Sequence, residues 1–272
     1  MEKICNFASY NLLSLFSPPL GQEYWHCDMK RGFIKARKRD LQVKALLEQD
    51  SIPQAIGLLA QQGVYEFHHD PLMLYRKDAV EKISDILNLS QVSDIVQKRV
   101  IKVLEKYQEY PILFDKKIIQ LNRGDEGFPK PILINYDNYK FNLYAAIDCI
   151  FQESDGRIHI LDFKTGQSDF DRRQAYIYLL AAQYLYPNHQ AIASFYNLET
   201  GVLSQVITAT PNQLKAMLKQ LIKLSKKHQS QLKYYWKNKQ NFNKIFSPNP
   251  GLPCRYCPFN SICEFSTIEV SA

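Results

Sequence analysis

Nowhere in the 272 residues do apolar side chains run unbroken for the roughly 20 positions a membrane-spanning helix needs. No transmembrane span is expected. The opening stretch, MEKICNFASYNLLSLF, has one lysine and no small-residue cleavage site after an apolar core, so no signal peptide is expected either. Internal repeats and low-complexity linkers are absent. Charged residues make up only 22% and hydrophobic residues 46%, the balance of a folded soluble chain and not of a disordered one. The 6 cysteines are few and unevenly placed: Cys254, Cys257 and Cys263 cluster, whereas Cys5, Cys27 and Cys149 are scattered. A secreted disulfide framework would spread its pairs, so the cluster points to metal. The default is a cytoplasmic protein without membrane association.

The formal charge of +7 is moderate, so its distribution matters more than its total. Lys30, Arg31, Lys35, Arg37, Lys38 and Arg39 crowd one short segment. Lys215, Lys219, Lys223 and Lys227 recur every fourth residue. Further on, Lys233, Tyr234, Tyr235, Trp236, Lys237 and Lys239 interleave rings with ammonium groups. Basic side chains displace counterions from phosphates and flat rings stack on unpaired bases. Any one of these runs is also what an ordinary solvated helix face looks like.

Apolar positions at three- and four-residue intervals predict helices over much of 51–89 and over 94–107, ended by Pro111. The segments 111–121, 131–135, 140–151 and 157–163 read as strands. The last two are joined as a hairpin across Ser154–Asp155–Gly156. A helix over 171–186, strands at 191–198 and 202–208, and a long helix from Pro211 to about Trp236 follow. The expected organisation is a helical region at 1–110 carrying Cys27, a mixed α/β core at 111–210, and a basic helix with the cysteine cluster at 211–272. Together these would form one compact domain.

Asp162 and Lys164 are two residues apart, so on a strand both face the same way. Asp148 lies on the preceding apolar segment, where a hairpin can bring it beside Asp162. A carboxylate in apolar surroundings is costly unless it is paired or holds a cation. Two hard oxygens on one face suit Mg²⁺ or Mn²⁺, and a nearby lysine can orient a water and a phosphate. A buried Asp–Lys ion pair is the ordinary alternative for the tripeptide alone. Gln174 and Tyr178, on one face of the next predicted helix, add to the pattern.

Taken together, Asp148, Asp162-Phe163-Lys164 and Gln174-Ala175-Tyr176-Ile177-Tyr178 resemble the site of the PD-(D/E)XK nuclease superfamily, in particular its RecB-like branch. That branch includes AddB and the CRISPR-associated exonucleases. The resemblance implies a restriction-endonuclease-like α/β fold, with a mixed central sheet flanked by helices. It implies metal binding by Asp148, Asp162 and the carbonyl of Phe163, water activation by Lys164, and phosphate or nucleotide contact by Gln174 and Tyr178. An upstream histidine serves the family as a further ligand; His68 is the expected one here, with His69 the alternative. Ala145 stands where the family often has glycine.

The spacing C-x2-C-x5-C in Cys254, Cys257 and Cys263 brings thiolates close enough to repel unless a metal neutralises them. Zinc or an iron–sulfur cluster would serve, and spacing does not separate the two. The RecB-like resemblance implies a 4Fe–4S cluster completed by an upstream cysteine, Cys27 in preference to Cys5. Cys149 reads as plain core. The function so implied is a metal-dependent, single-strand DNA exonuclease in repair, recombination or CRISPR adaptation. Its partners would be DNA, and helicase or adaptation proteins. Lys30, Arg31, Lys35, Arg37, Tyr234 and Trp236 would contact the DNA. The competing expectation is a non-catalytic nucleic-acid-binding subunit or adaptor that keeps the fold.

Overall fold

The computed structural model describes residues 6–49, 51–70, 72–166 and 170–267. In chain order the elements are β1 (Phe7–Ser9), α1 (Tyr10–Phe16), α2 (Asp28–Ala36), α3 (Leu41–Leu47), α4 (Ile52–His69), α5 (Ala79–Ile86), α6 (Asp94–Glu109), β2 (Lys117–Leu121), β3 (Ile132–Tyr136), β4 (Tyr139–Tyr144), β5 (Cys149–Gln152), β6 (Ile158–Lys164), α7 (Arg172–Leu185), β7 (Ala191–Asn197), β8 (Val202–Leu203), α8 (Pro211–Lys237) and α9 (Phe242–Ile245). The result is the expected mixed α/β architecture. No helix among the described residues is long and apolar enough to cross a membrane.

The chain forms two compact units. One comprises residues 51–130 and 145–215, the other 1–50, 131–144 and 216–272. The first holds a five-stranded sheet in the order β2-β5-β6-β7-β8. β5 and β6 pair as the expected antiparallel hairpin. β6 and β7 pair in parallel, as they must when a helix, α7, carries the chain between them. Side-chain alternation divides β6 between two environments. Leu161 and Phe163 join Cys149, Phe151, Tyr196 and Leu198 against Ile56, Val64, Phe67, Val100 and Leu104 from the helices. Asp162 and Lys164 face the other way. Cys149 is fully buried, the plain core residue expected.

Helix α4 begins cleanly because Ser51 and Gln54 cap each other and Pro53 sits in its first turn. It packs on α6 with little clearance. A Cβ added at Gly63 would collide with Leu104 Cδ2. Glycine is required there because any side chain would overlap a buried leucine.

One expected strand proves to be two. The apolar run 140–151 breaks between Tyr144 and Cys149, and its first half pairs in a separate three-stranded sheet, β1-β4-β3. The break is stabilised by polar partners: Asn122 Nδ2 donates to Ile147 O at 2.6 Å, and Asn122 N donates to Asp148 O at 2.8 Å. Periodicity alone did not reveal it, since both halves are equally apolar.

The second unit contains that small sheet and α8 from Ala216 onward. Met29 and Phe33 of α2 pack with Val43 and Phe259, while Ala36 packs with Tyr235, Ile245 and Phe246. Arg31, expected to contact DNA, is fully buried and fully engaged here. It donates to Asp28 at 2.6 and 2.8 Å and to Gln231 at 2.9 Å, and its guanidinium lies 3.8 Å from the Phe16 ring centroid. A charge this far from water needs such partners, and they leave nothing to offer a phosphate.

Candidate functional site

Asp162, Lys164, Gln174 and Tyr178 converge in the first unit. Asp162 is 2% exposed at the centre of the sheet. Its Oδ1 accepts from Gln174 Nε2 at 2.9 Å and lies 2.8 Å from the Tyr178 hydroxyl. That hydroxyl accepts from Gln174 Nε2 at 2.7 Å, and its single proton can go either to Asp162 or to Ala146 O, 2.5 Å away. Gln174 Oε1 accepts from Lys164 Nζ at 3.0 Å. Helical spacing explains the pairing of Gln174 with Tyr178, four residues apart on the face of α7 that covers the sheet.

The other Asp162 oxygen, Oδ2, is buried, and its partner is Lys164. The Lys164 ammonium stands 2.5 Å from it as an ion pair. Asp148, just before β5, turns its Oδ2 to accept from Phe163 N at 2.7 Å. Asp162 on β6 and Asp148 at the entry to the neighbouring β5 are thus brought together, with Lys164 beside them. Burial, and after it the charge of Asp162, raises the Asp148 carboxyl well above the usual range. Burial raises Asp162 as well, opposed by Lys164. Two carboxyls that resist ionising together in a dry place make a site where a cation would relieve both desolvation and repulsion.

His68 is not brought to this pair. Its Nε2 lies 2.7 Å from the Tyr107 hydroxyl, and burial lowers its pKa to about 4. His69 stacks on Tyr65, with ring centroids 5.4 Å apart. The α4 residue that reaches Asp148 is Gln61, seven positions earlier and so roughly 10 Å up the helix. Gln61 Nε2 also donates to Asn122 O at 3.1 Å. Sequence reasoning missed Gln61. The available signal was an uncharged amide, beside a second one at Gln62, within the otherwise apolar stretch 55–64 of the helix.

Also missed were the groups that anchor the turn after Lys164. Asn197 Nδ2 donates to Gly166 O at 2.7 Å, and Glu199 Oε1 accepts from Gly166 N at 2.9 Å. Arg99 holds Glu199 through contacts of 2.7 and 2.8 Å. Gly166 takes φ +85°, a conformation that favours glycine.

In the second unit, Cys27 and the C-terminal cysteines are neighbours. Cys27, Cys257 and Cys263 pack around Met29, Phe33 and Phe259. Burial raises the Cys257 thiol, with Cys27 and Cys263 adding to it; burial also raises Cys263, with Cys27 and Cys254 adding to it. Asn249 N donates to Cys27 Sγ at 3.4 Å, and Cys263 Sγ lies 3.6 Å from Met29 Sδ. Cys254, Cys257 and Cys263 are free thiols, as is Cys27. Cys5 lies outside the described residues. Among those residues, no three or more His, Cys, Asp or Glu side chains form a group arranged to hold a metal ion.

Of the remaining residues expected to contact DNA, Lys30 and Lys35 are half-buried. Arg37 pairs with Asp40 at 2.6 Å. Tyr234 and Trp236 are 54% and 51% exposed.

A sequence profile of the PD-(D/E)XK nuclease superfamily matches residues 36–264, and the chain belongs to that superfamily. A solved structure from Eubacterium rectale, described as a candidate exonuclease, shares 11% identity, with 88% of this chain and 81% of that one covered and a TM-score of 0.43. Another, designated SSO0001, shares 16% identity over 78% of this chain and 96% of that one, with a TM-score of 0.32. A search of curated proteins returned no match. Superfamily membership brings with it a nucleic-acid substrate and a divalent metal as the general expectation for this fold.

Proposed function

We propose that this chain is a metal-dependent DNA nuclease acting as a single-strand exonuclease. The observation that carries the reading is the convergence of two buried carboxyls and an ammonium: Asp162 on β6, ion-paired with Lys164 through Oδ2, and Asp148 just before the neighbouring strand β5. Asp148, Asp162 and the Phe163 carbonyl would hold Mg²⁺ or Mn²⁺, and their hard oxygens fit such a cation. Bound there, the cation would lower the pKa of a water and neutralise charge on a phosphate oxygen. Gln174 holds the Lys164 ammonium at the carboxylates, where it can orient the attacking water and the scissile phosphate. Tyr178 and Gln174 together fix the Asp162 rotamer through Oδ1, and Oδ2, ion-paired with Lys164, is the oxygen that would turn to the cation.

The four neighbouring thiols Cys27, Cys254, Cys257 and Cys263 would hold a structural 4Fe–4S cluster, with zinc as the lesser choice. The packing of Cys27 with Cys257 and Cys263 around Met29, Phe33 and Phe259 supports this reading. Anaerobically purified protein should be brown and absorb at roughly 400 nm, as thiolate-ligated iron does; a colourless, zinc-containing protein would remove the cluster.

The test of activity is incubation of labelled single strands with purified protein and Mn²⁺. Shortening from an end is the expected result. Because His68 turns to Tyr107 and not to the carboxylates, a second reading stands beside the first: a subunit that binds DNA without cutting it. Retention of strands without shortening would support that reading.

A further inference from the structure

In the second unit, a cavity of about 510 Å³ opens between the end of α2 and the end of α8, lined by Ala36, Arg37, Arg39, Asp40, Tyr235, Trp236, Lys239 and Phe242. We infer that this cavity is a binding subsite for one nucleotide of a single-stranded nucleic acid, with a base on Trp236 and a phosphate held by Arg39 and Lys239. The inference rests on the nuclease reading for its choice of ligand, but not on cleavage.

Three observations support it. Its lining has three cationic groups, Arg37, Arg39 and Lys239, against one carboxylate, Asp40. Arg37 already neutralises Asp40 at 2.6 Å. Arg39 and Lys239 are exposed, and among the described residues neither has an acidic partner. Two full positive charges therefore face the opening. Next, the aromatic wall is built to stay in place. Tyr235 is buried, with its ring 5.4 Å from Trp236 and 5.7 Å from Phe242, and Arg37 lies 5.2 Å from the Phe242 ring. Trp236 alone among these rings is half exposed, and the Lys239 ammonium lies over it, 5.3 Å from the ring centroid, so indole and cation stand together at the opening. Lastly, the volume lies within the ~300–1,000 Å³ typical of small-ligand sites.

The chemistry selects among anionic ligands. An acidic peptide would pair with the cations but leave the indole face unused. A duplex keeps its base faces stacked inside. An unpaired nucleotide uses both features, and base–aromatic stacking contributes about 1–3 kcal/mol in other single-strand sites.

The chain has 2 tryptophans, so a Trp25→Phe protein carries Trp236 as its only indole. Titrating it in EDTA with an oligothymidylate of about ten nucleotides should quench its emission saturably. Arg39→Ala should weaken binding about fivefold and reduce the salt slope by about 0.7, the value for one phosphate contact on a single strand. Thymidine monophosphate should require far higher concentrations. Absence of quenching, equal quenching by duplex, saturation by monophosphate at the same concentration, or an unaltered salt slope would each overturn the inference. If Trp25→Phe does not fold, anisotropy of a labelled strand with Trp236→Leu in the otherwise natural chain serves instead, with about tenfold weaker binding expected. The titration needs no cleavage. A strand that binds here but is never shortened in Mn²⁺ would sink the nuclease reading while leaving this subsite standing.

Discussion

Replacing Gln174 by leucine removes the amide that ties Lys164 to Asp162 while keeping roughly the same volume. Gln174 is 7% exposed and makes two hydrogen bonds to charged partners, at 3.0 and 2.9 Å, and one with the Tyr178 hydroxyl at 2.7 Å. Hydrogen bonds to charged groups contribute about 1.5–3 kcal/mol each. Not all of that is lost. The Lys164 side chain is 29% exposed, so water can replace the amide oxygen there. Asp162 cannot reach water but keeps Tyr178 and Lys164. One charged bond remains uncompensated, and the leucine side chain recovers part of it by apolar burial. The expected destabilisation is about 1–2 kcal/mol, read as a lower urea midpoint in EDTA. Single-turnover cleavage in saturating Mn²⁺ should slow by about 10–100-fold as the ammonium loses its orientation, equivalent to about 1.4–2.7 kcal/mol in the barrier. Wild-type stability together with a wild-type rate would refute the role given to this amide.

The remaining predictions concern packing and protonation. Gly63→Ala drives a methyl into Leu104 and should cost about 1–3 kcal/mol, offset in part by better helix propensity; thermal melting should fall by several degrees, and Leu104→Ala in the same protein should relieve the clash. Burial holds His68 and His228 at about 4, against about 6.5 when unfolded. Their contribution to stability is thus complete above pH 6.5 and is lost as the pH falls towards 4; His228→Gln should remove one proton from the acid dependence of the unfolding midpoint. The raised carboxyls behave in the opposite sense. Metal-free protein loses stability as the pH climbs from the ordinary carboxylate range through the raised values, so the rise in melting temperature caused by Mn²⁺ should be larger at pH 8 than at pH 5. An increment independent of pH would mean the cation binds elsewhere.

The parts legible in the sequence were those set by local periodicity. The alternation of β6 predicts Asp162 and Lys164 on one face, and the four-residue step from Gln174 to Tyr178 predicts one face of α7. The hairpin of β5 and β6 follows from its turn residues. What could not be read depended on partners distant in the chain. The break at Tyr144–Asp148 is held by Asn122, and a run with apolar residues on both sides carries no mark of where it changes sheets. Arg31 reads as one more cation in a basic segment until Asp28, Gln231 and Phe16 close around it. His68 has the right chemistry for a ligand, but helical geometry places it beside Tyr107, two turns from Gln61.

The central claim is that Asp148 and Asp162 share a divalent cation beside Lys164. It is tested most directly by isothermal titration of Mn²⁺ into the natural protein and into Asp162→Ala, with digestion of a labelled single strand followed in parallel for both and for Lys164→Ala. Loss of Mn²⁺ binding in Asp162→Ala, and loss of cleavage in both variants with folding intact, is the predicted result. Undiminished Mn²⁺ binding or normal digestion by Asp162→Ala would contradict it.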